Sequence, residues 1–143
     1  MIDSILLVDD EDLFHLVFED SCSLLDITLS LKSLNSSDEA AKLFVDWQKD
    51  SNGRPECVFV DLNIIGSSFD GIELIRKVNF EYGNNVVIGI ISSSNEAEEQ
   101  AKAIQAGAQF WIIKSDDIEP RLEEFRKDYE GYKNRTAPFK VYK

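Results

Sequence analysis

Three carboxylates, a hydroxyl and an ammonium stand where apolar runs of this chain stop. Asp9 and Asp10 follow Ile5-Leu6-Leu7-Val8. Asp61 follows Val58-Phe59-Val60. Ser92 follows the run from Val86 to Ile91, and Lys114 follows Phe110-Trp111-Ile112-Ile113. A small hard cation such as Mg2+ takes carboxylate oxygens, keeps some water and often shares a phosphate oxygen. An aspartate can also attack phosphorus and carry an acyl phosphate. A hydroxyl can donate to a phosphoryl oxygen, and a lysine can pair with it. These residue types together suit a divalent cation and a phosphoryl group, provided that the fold gathers them.

The elements between them make gathering plausible. Short apolar runs, each followed by a segment of helical period, read as buried parallel strands. Strands are expected at 4–8, near 26–33, and at 57–61, 86–91 and 109–113. The first helix carries Leu13, Leu16, Val17, Leu24 and Leu25 after an acidic start at Asp10-Glu11-Asp12. Ser36 with Glu39 resembles a capping box and opens a second helix bearing Ala40, Ala41, Phe44, Val45 and Trp47. Asp70-Gly71 opens a third, which Gly83-Asn84-Asn85 ends, with Gly83 suited to a left-handed cap. Asn95 with Glu98 is expected to cap a fourth helix that stops at Gly107. The last helix, near 117–131, presents Ile118, Leu122, Phe125 and Tyr129 as one stripe. Residues 50–55 and the polar stretch with Gly66 and Ser67-Ser68 read as loops.

This alternation implies an α/β fold, a flavodoxin-like doubly wound five-stranded parallel sheet with strand order 2-1-3-4-5 and five helices. In that order the first and third strands are neighbours at the switch point. Ligands of such sheets bind beyond the carboxyl ends of the strands, so Asp9, Asp10 and Asp61 would meet there. The plainer account is that Asp9 and Asp10 only cap the first helix. The polar residues closing the other three runs favour a shared site.

Composition narrows the class. The chain has 143 residues, enough for one domain with a real core. Its formal charge of −12 would repel phosphate backbones, so direct nucleic-acid binding is not expected. No apolar stretch approaches the ~20 residues of a membrane span. No signal peptide follows Met1, and Cys22 and Cys57 sit among apolar neighbours as expected of buried reduced thiols. A cytoplasmic location without membrane attachment is the expectation. His15, the only histidine, is expected on the surface side of the first helix.

At these residues the chain resembles the receiver domains of two-component response regulators, over about residues 3–130, and in particular chemotaxis-regulator-like single-domain receivers. Asp9-Asp10-Glu11 looks like the family's acidic pair and Asp61 its phosphoacceptor. Asn63 matches the position whose backbone carbonyl ligates the metal. Asp70-Gly71-Ile72-Glu73-Leu74 resembles the segment opening the third helix, and Ala106-Gly107-Ala108 the one before the fifth strand. Ser92 falls at the switch hydroxyl, Trp111 at the switch aromatic and Lys114 at the lysine.

The resemblance implies that a sensor histidine kinase or a histidine phosphotransfer protein donates phosphoryl to Asp61. Mg2+ would be held by Asp10, Asp61 and the Asn63 carbonyl, with Asp9 orienting a metal-bound water. Ser92 and Lys114 would engage the acyl phosphate, and Trp111 would turn inward. It also implies a signalling phosphoprotein rather than an enzyme, acting on a downstream protein target. Residues 1–132 would form the receiver and 133–143 a short basic tail, leaving no room for an output domain.

Two departures stand out. Ser115 follows Lys114 where the family has proline, so a trans peptide is expected there. The loop between Asp61 and Gly71 is about two residues longer than usual and lacks the common proline. Three rivals remain: a pseudo-receiver that binds partners without switching, a flavodoxin-like cofactor binder and an aspartate-dependent phosphohydrolase. The second is disfavoured by Asp-Asp-Glu-Asp where a phosphate loop would be. The third is disfavoured by Asn63 where those enzymes carry an acid.

Overall fold

Alternate residues of the buried strands face opposite layers of helices. The computed structural model describes residues 2, 4–27, 30–49, 54–64 and 70–143. Strands β1 (Ser4–Val8), β2 (Ser30–Leu34), β3 (Cys57–Asp61), β4 (Val87–Ser92), β5 (Phe110–Ile113) and β6 (Lys140–Tyr142) form one sheet of order β2-β1-β3-β4-β5-β6. All of its pairings are parallel. Helices α1 (Asp12–Leu25), α2 (Ser37–Lys49), α3 (Gly71–Tyr82), α4 (Ala97–Ala106) and α5 (Glu119–Lys133) connect them.

Leu6, Val8, Val58, Val60, Ile88, Ile90 and Trp111 point to one face, under Trp47 of α2, Leu74, Ile75 and Val78 of α3 and Ala103 and Ala106 of α4. Ile5, Leu7, Cys57, Phe59, Ile91, Phe110 and Ile112 point to the other, under Phe14 and Phe18 of α1 and Leu122, Phe125 and Tyr129 of α5. The period of two thus divides the core between two layers. The second layer is rich in rings. Phe125 lies 5.3 Å from Phe59, 4.5 Å from Phe110 and 5.7 Å from Tyr132, centroid to centroid. Gly89 faces Phe59 in register, and a Cβ there would meet the Phe110 ring at 2.6 Å.

The expected order 2-1-3-4-5 is present and is extended by β6, whose residues fall in the stretch read as a tail. β1 and β3 coincide with their expected ranges, whereas β2 begins at Ser30 rather than near 26. Asp26 instead adopts a left-handed conformation that ends α1, and residues 28–29 lie outside the described ones. The loop glycine Gly66, Ser67-Ser68 and residues 50–53 also lie outside them.

Ser36 Oγ does accept from the Glu39 amide, at 3.1 Å. The other proposed caps need correction. Gly83 has φ −20°, not left-handed, because the chain continues as a 3-10 turn over Gly83–Asn85. The Asn95 amide oxygen accepts from Gln100, and α4 begins after Glu96 with no side-chain cap, so the expected Asn95–Glu98 box does not form. Gly107, at φ 115°, provides a left-handed stop for α4.

Removing the Phe125 ring leaves a cavity between β3, β5 and α5. Phe125→Ala should cost about 3–5 kcal/mol in urea denaturation, with Phe125→Leu losing clearly less. Equal losses would show that ring packing is not what Phe125 contributes.

Candidate functional site

Asp9 stands one residue beyond β1, and its amide bonds to the Leu34 carbonyl at the end of β2 (2.9 Å). Asp61 is the last residue of β3 and Ser92 the last of β4. The Lys114 amide, one residue beyond β5, bonds to the Ser92 carbonyl at 2.8 Å. Parallel register therefore brings all four strand ends to one edge. Asp9, Asp61 and Ser92 are 0%, 6% and 3% exposed.

Lys114 Nζ lies among the acids, 2.6 Å from Asp9 Oδ2, 3.0 Å from Glu11 Oε1 and 3.5 Å from Asp61 Oδ2. Its directed hydrogen bond goes to Glu11. The closer contact with Asp9 is a buried ion pair in which the ammonium occupies Asp9 Oδ2. The Phe14 ring lies under the ammonium, 4.6 Å from Nζ. One carboxylate oxygen each of Asp9, Glu11 and Asp61 falls within 4.8 Å of the others. An all-oxygen donor set of this kind, three acids sharing one lysine, fits a hard divalent cation.

Burial pushes the Asp61 carboxyl up to about 7, Asp9 adds to the rise, and Lys114 opposes it. Burial likewise raises Asp9 against the pull of Lys114. Burial alone would lower the Lys114 ammonium, but Asp9, Asp61 and Glu11 outweigh it and hold it above its ordinary value. The pocket thus holds more negative charge than its lysine neutralises comfortably.

The remaining expected residues are placed as follows. Asp10 is half-exposed and outside the close triad, although its charge reaches Asp61. Asn63 is exposed just beyond β3. Trp111 is fully buried, and its Nε1 donates to the Ser94 carbonyl at 3.0 Å. Asp70 caps α3 by accepting from the Glu73 amide (2.9 Å). Gly71 packs so closely that a Cβ would collide with the Asp61 carbonyl oxygen. The Lys114-Ser115 peptide is trans, as no cis bond occurs among the described residues.

Two participants differ from the sequence expectation. Glu11, read as part of the acidic helix start and of the acidic motif Asp9-Asp10-Glu11 but given no role in the site, reaches Lys114. His15, expected on the surface, is buried, and its Nε2 lies 2.5 Å from the Asp9 carbonyl. Because a carbonyl only accepts, the ring carries its proton on Nε2. The signal available was spacing: residues six apart can bring a first-turn side chain back over the loop before the helix.

Flavodoxin-like topology with an acidic pocket and a lysine at the switch point defines a class of α/β proteins built to hold a cation beside an anion. The comparisons give the family. The response regulator receiver domain matches residues 5–124, and the chain belongs to that family. Such domains are signalling modules of two-component systems, in which a phosphorylated aspartate and Mg2+ are typical and histidine kinases or phosphotransfer proteins are the usual partners.

Among solved structures, NtrX from Brucella abortus is 23% identical with a TM-score of 0.73, covering 94% of this chain. This chain spans 29% of that NtrX chain. A CheY-like receiver domain protein from Methanospirillum hungatei JF-1 is 16% identical, TM-score 0.74, covering 94% of this chain and 99% of its own. The receiver domain of an HD domain-containing protein from Pseudomonas fluorescens Pf-5 is 18% identical with a TM-score of 0.74, covering 94% and 99% of the two chains. No curated protein matches the sequence.

The raised Asp61 carboxyl has a measurable consequence. Its ordinary value is 3.8, so between that pH and about 7 the folded state binds the extra proton and stability falls as pH rises. In the presence of a chelator, Asp61→Asn should therefore be more stable than the parent at pH 8, by on the order of 2 kcal/mol, and nearly equal to it at pH 4. Parallel pH profiles in urea melts would show that Asp61 does not carry this strain.

Proposed function

We propose that this receiver accepts a phosphoryl group on Asp61, with Mg2+, from a sensor histidine kinase or a histidine phosphotransfer protein, and thereby alters a surface bound by a downstream protein. The observation that supports it is the pocket itself: a buried strand-end carboxylate 3.5 Å from Lys114, beside a second buried carboxylate, Asp9, and Glu11, so that three acids share one ammonium. Asp10, Asp61 and the Asn63 carbonyl would hold the cation, Asp9 would orient a bound water, and Glu11 stands close enough to contribute. When bound, Mg2+ supplies positive charge that offsets the carboxylates and the incoming phosphoryl oxygens.

An Asp61 oxygen attacks the phosphorus of a phosphohistidine. The new P–O bond forms as the P–N bond breaks, and the donor ring, protonated at its other nitrogen, leaves as neutral imidazole with the bonding pair. Lys114 moves its charge from the free carboxylates toward the phosphoryl oxygens, and the Ser92 hydroxyl turns to donate to one of them. Protein partners fit the charge of −12 better than nucleic acid does. Among the described residues no helix is long and apolar enough to cross a membrane.

A non-switching module that binds partners constitutively is the second reading. It is favoured by Lys114, which already bridges Asp9, Glu11 and Asp61 and partly compensates the pocket without a cation.

Incubation with Mg2+ and acetyl phosphate separates the two. Intact-protein mass spectrometry should record a phosphoryl adduct that is abolished by Asp61→Asn and by chelation of Mg2+. An adduct persisting on Asp61→Asn would place the acceptor elsewhere, and no adduct on the parent chain, by this donor and with beryllofluoride also failing to bind, would favour the non-switching module.

A further inference from the structure

His15 has no part in the chemistry above, yet it is the one histidine of the chain and it is buried. Its ring is the sole donor to the Asp9 carbonyl among the described residues. That carbonyl belongs to the peptide joining Asp9 to Asp10, so its direction sets where both carboxylates leave the backbone. The other atoms of Asp9 are held as well: the amide by Leu34, Oδ1 by the Glu11 amide at 2.8 Å, and Oδ2 beside Lys114. His15 is the one of these contacts made by a side chain of α1. We infer that His15 is a positioning residue for the cation site, which fixes the Asp9–Asp10 peptide plane from the first turn of α1.

Groups that orient metal-binding residues from outside the ligand set commonly change metal affinity by about 10–100-fold when removed. The inference rests on the Mg2+ site proposed above, and Mg2+ alone is the probe. By calorimetric titration, His15→Leu, which keeps a buried side chain of similar size without a donor, should weaken Mg2+ binding about tenfold or more. His15→Gln, which keeps an N–H donor, should recover most of that loss. With acetyl phosphate, the half-saturating Mg2+ concentration should rise while the rate at saturating Mg2+ stays near that of the parent. A lower melting temperature with unchanged Mg2+ affinity in both variants would overturn the inference and leave His15 a packing residue. Absence of Mg2+ binding by the parent chain would overturn the site reading and this inference with it.

A separate observation concerns β6. It pairs with β5 through Phe110–Lys140, Trp111–Val141 and Ile112–Tyr142. Val141 and Phe139 pack on the core layer that holds Trp111. From Trp111 a run of bonds leads to the pocket: Nε1 to the Ser94 carbonyl, and the Ser94 amide to Ser92 Oγ at 3.1 Å. The strand is short and lies at the edge of the sheet, and beyond its pairing with β5 it is held by Tyr142, which is buried against Phe125, donates to Asp128 at 2.7 Å and pairs with the Tyr132 hydroxyl at 2.8 Å, and by Lys140 on Glu124 and Asp128 at 2.7 and 3.2 Å. We also infer that β6 is a latch, loosened when Ser92 turns from Ser94 toward a phosphoryl group on Asp61.

Hydrogen exchange with Mg2+ and beryllofluoride tests it. The amides of Lys140–Tyr142 should exchange roughly tenfold faster or more on loading, and Tyr142→Phe should bind beryllofluoride several-fold more tightly, by reciprocity. Protection at residues 61–63 and 92–94 with unchanged exchange in β6 would overturn the latch while sparing the site. No change at either place would overturn both.

Discussion

One ammonium holds this edge of the sheet together. Two unit charges 4 Å apart interact by about 4 kcal/mol at an effective dielectric near 20, and Lys114 faces three carboxylates at 3.5 Å or less. Without it, Asp9 and Asp61 would be buried like charges at adjacent strand ends, an arrangement that burial makes worse. With it, three acids still share one ammonium, and burial, with Asp9 beside it, holds the Asp61 carboxyl above its ordinary range. On the function proposed, that imbalance has a use: a cation would complete the charge, and a phosphoryl group would give Lys114 a partner in place of the carboxylates.

The placement of Lys114 follows from contacts that do not need the proline usual after it. Its amide is tied to β4 through Ser92, and its ammonium lies over Phe14. Arg121 Nη1 donates to the Ile113 carbonyl at 2.9 Å, and Ser115 Oγ accepts from the Asp117 amide at 3.0 Å. Arg121 from α5, the Ser115 turn and the aromatic under the ammonium therefore constrain the loop from three sides. A trans Lys114-Ser115 peptide is compatible with a lysine in the pocket because these contacts, rather than an imide bond, set its direction.

Legibility in the sequence tracked how sharply burial changed along the chain. β1 and β3 end abruptly from fully apolar to acidic, and their bounds read correctly. β2 alternates, so its start was blurred and moved from near 26 to Ser30. The four strand-end residues were legible because each is the first polar residue after a buried run. His15 and Glu11 were not, since a helix start looks the same whether its side chains face water or fold back on the preceding loop. β6 was hidden by composition: Lys140-Val141-Tyr142 is three residues long beside basic neighbours, and only the register with β5 makes it a strand. Gly83 and Asn95 carry residue types that favour caps, but the 3-10 turn after α3 and the start of α4 one residue later, after Glu96, decided otherwise.

The sixth strand also changes what Trp111 can do. An aromatic on an edge strand can swing toward solvent at modest cost, because one side is open. Here β5 is an interior strand, and the indole is fully buried with its N–H committed to Ser94. Moving it outward would take the donor from the part-buried Ser94 carbonyl and open a cavity of indole size, and the cavity alone costs about 3–5 kcal/mol. The resemblance implied an indole that turns inward on phosphorylation, yet it is already inside. With the indole so committed, a rearrangement driven from the pocket would reach the mostly exposed Ser93–Glu96 loop through the Ser92–Ser94 contact, and β6 through the strand pairing that flanks Trp111.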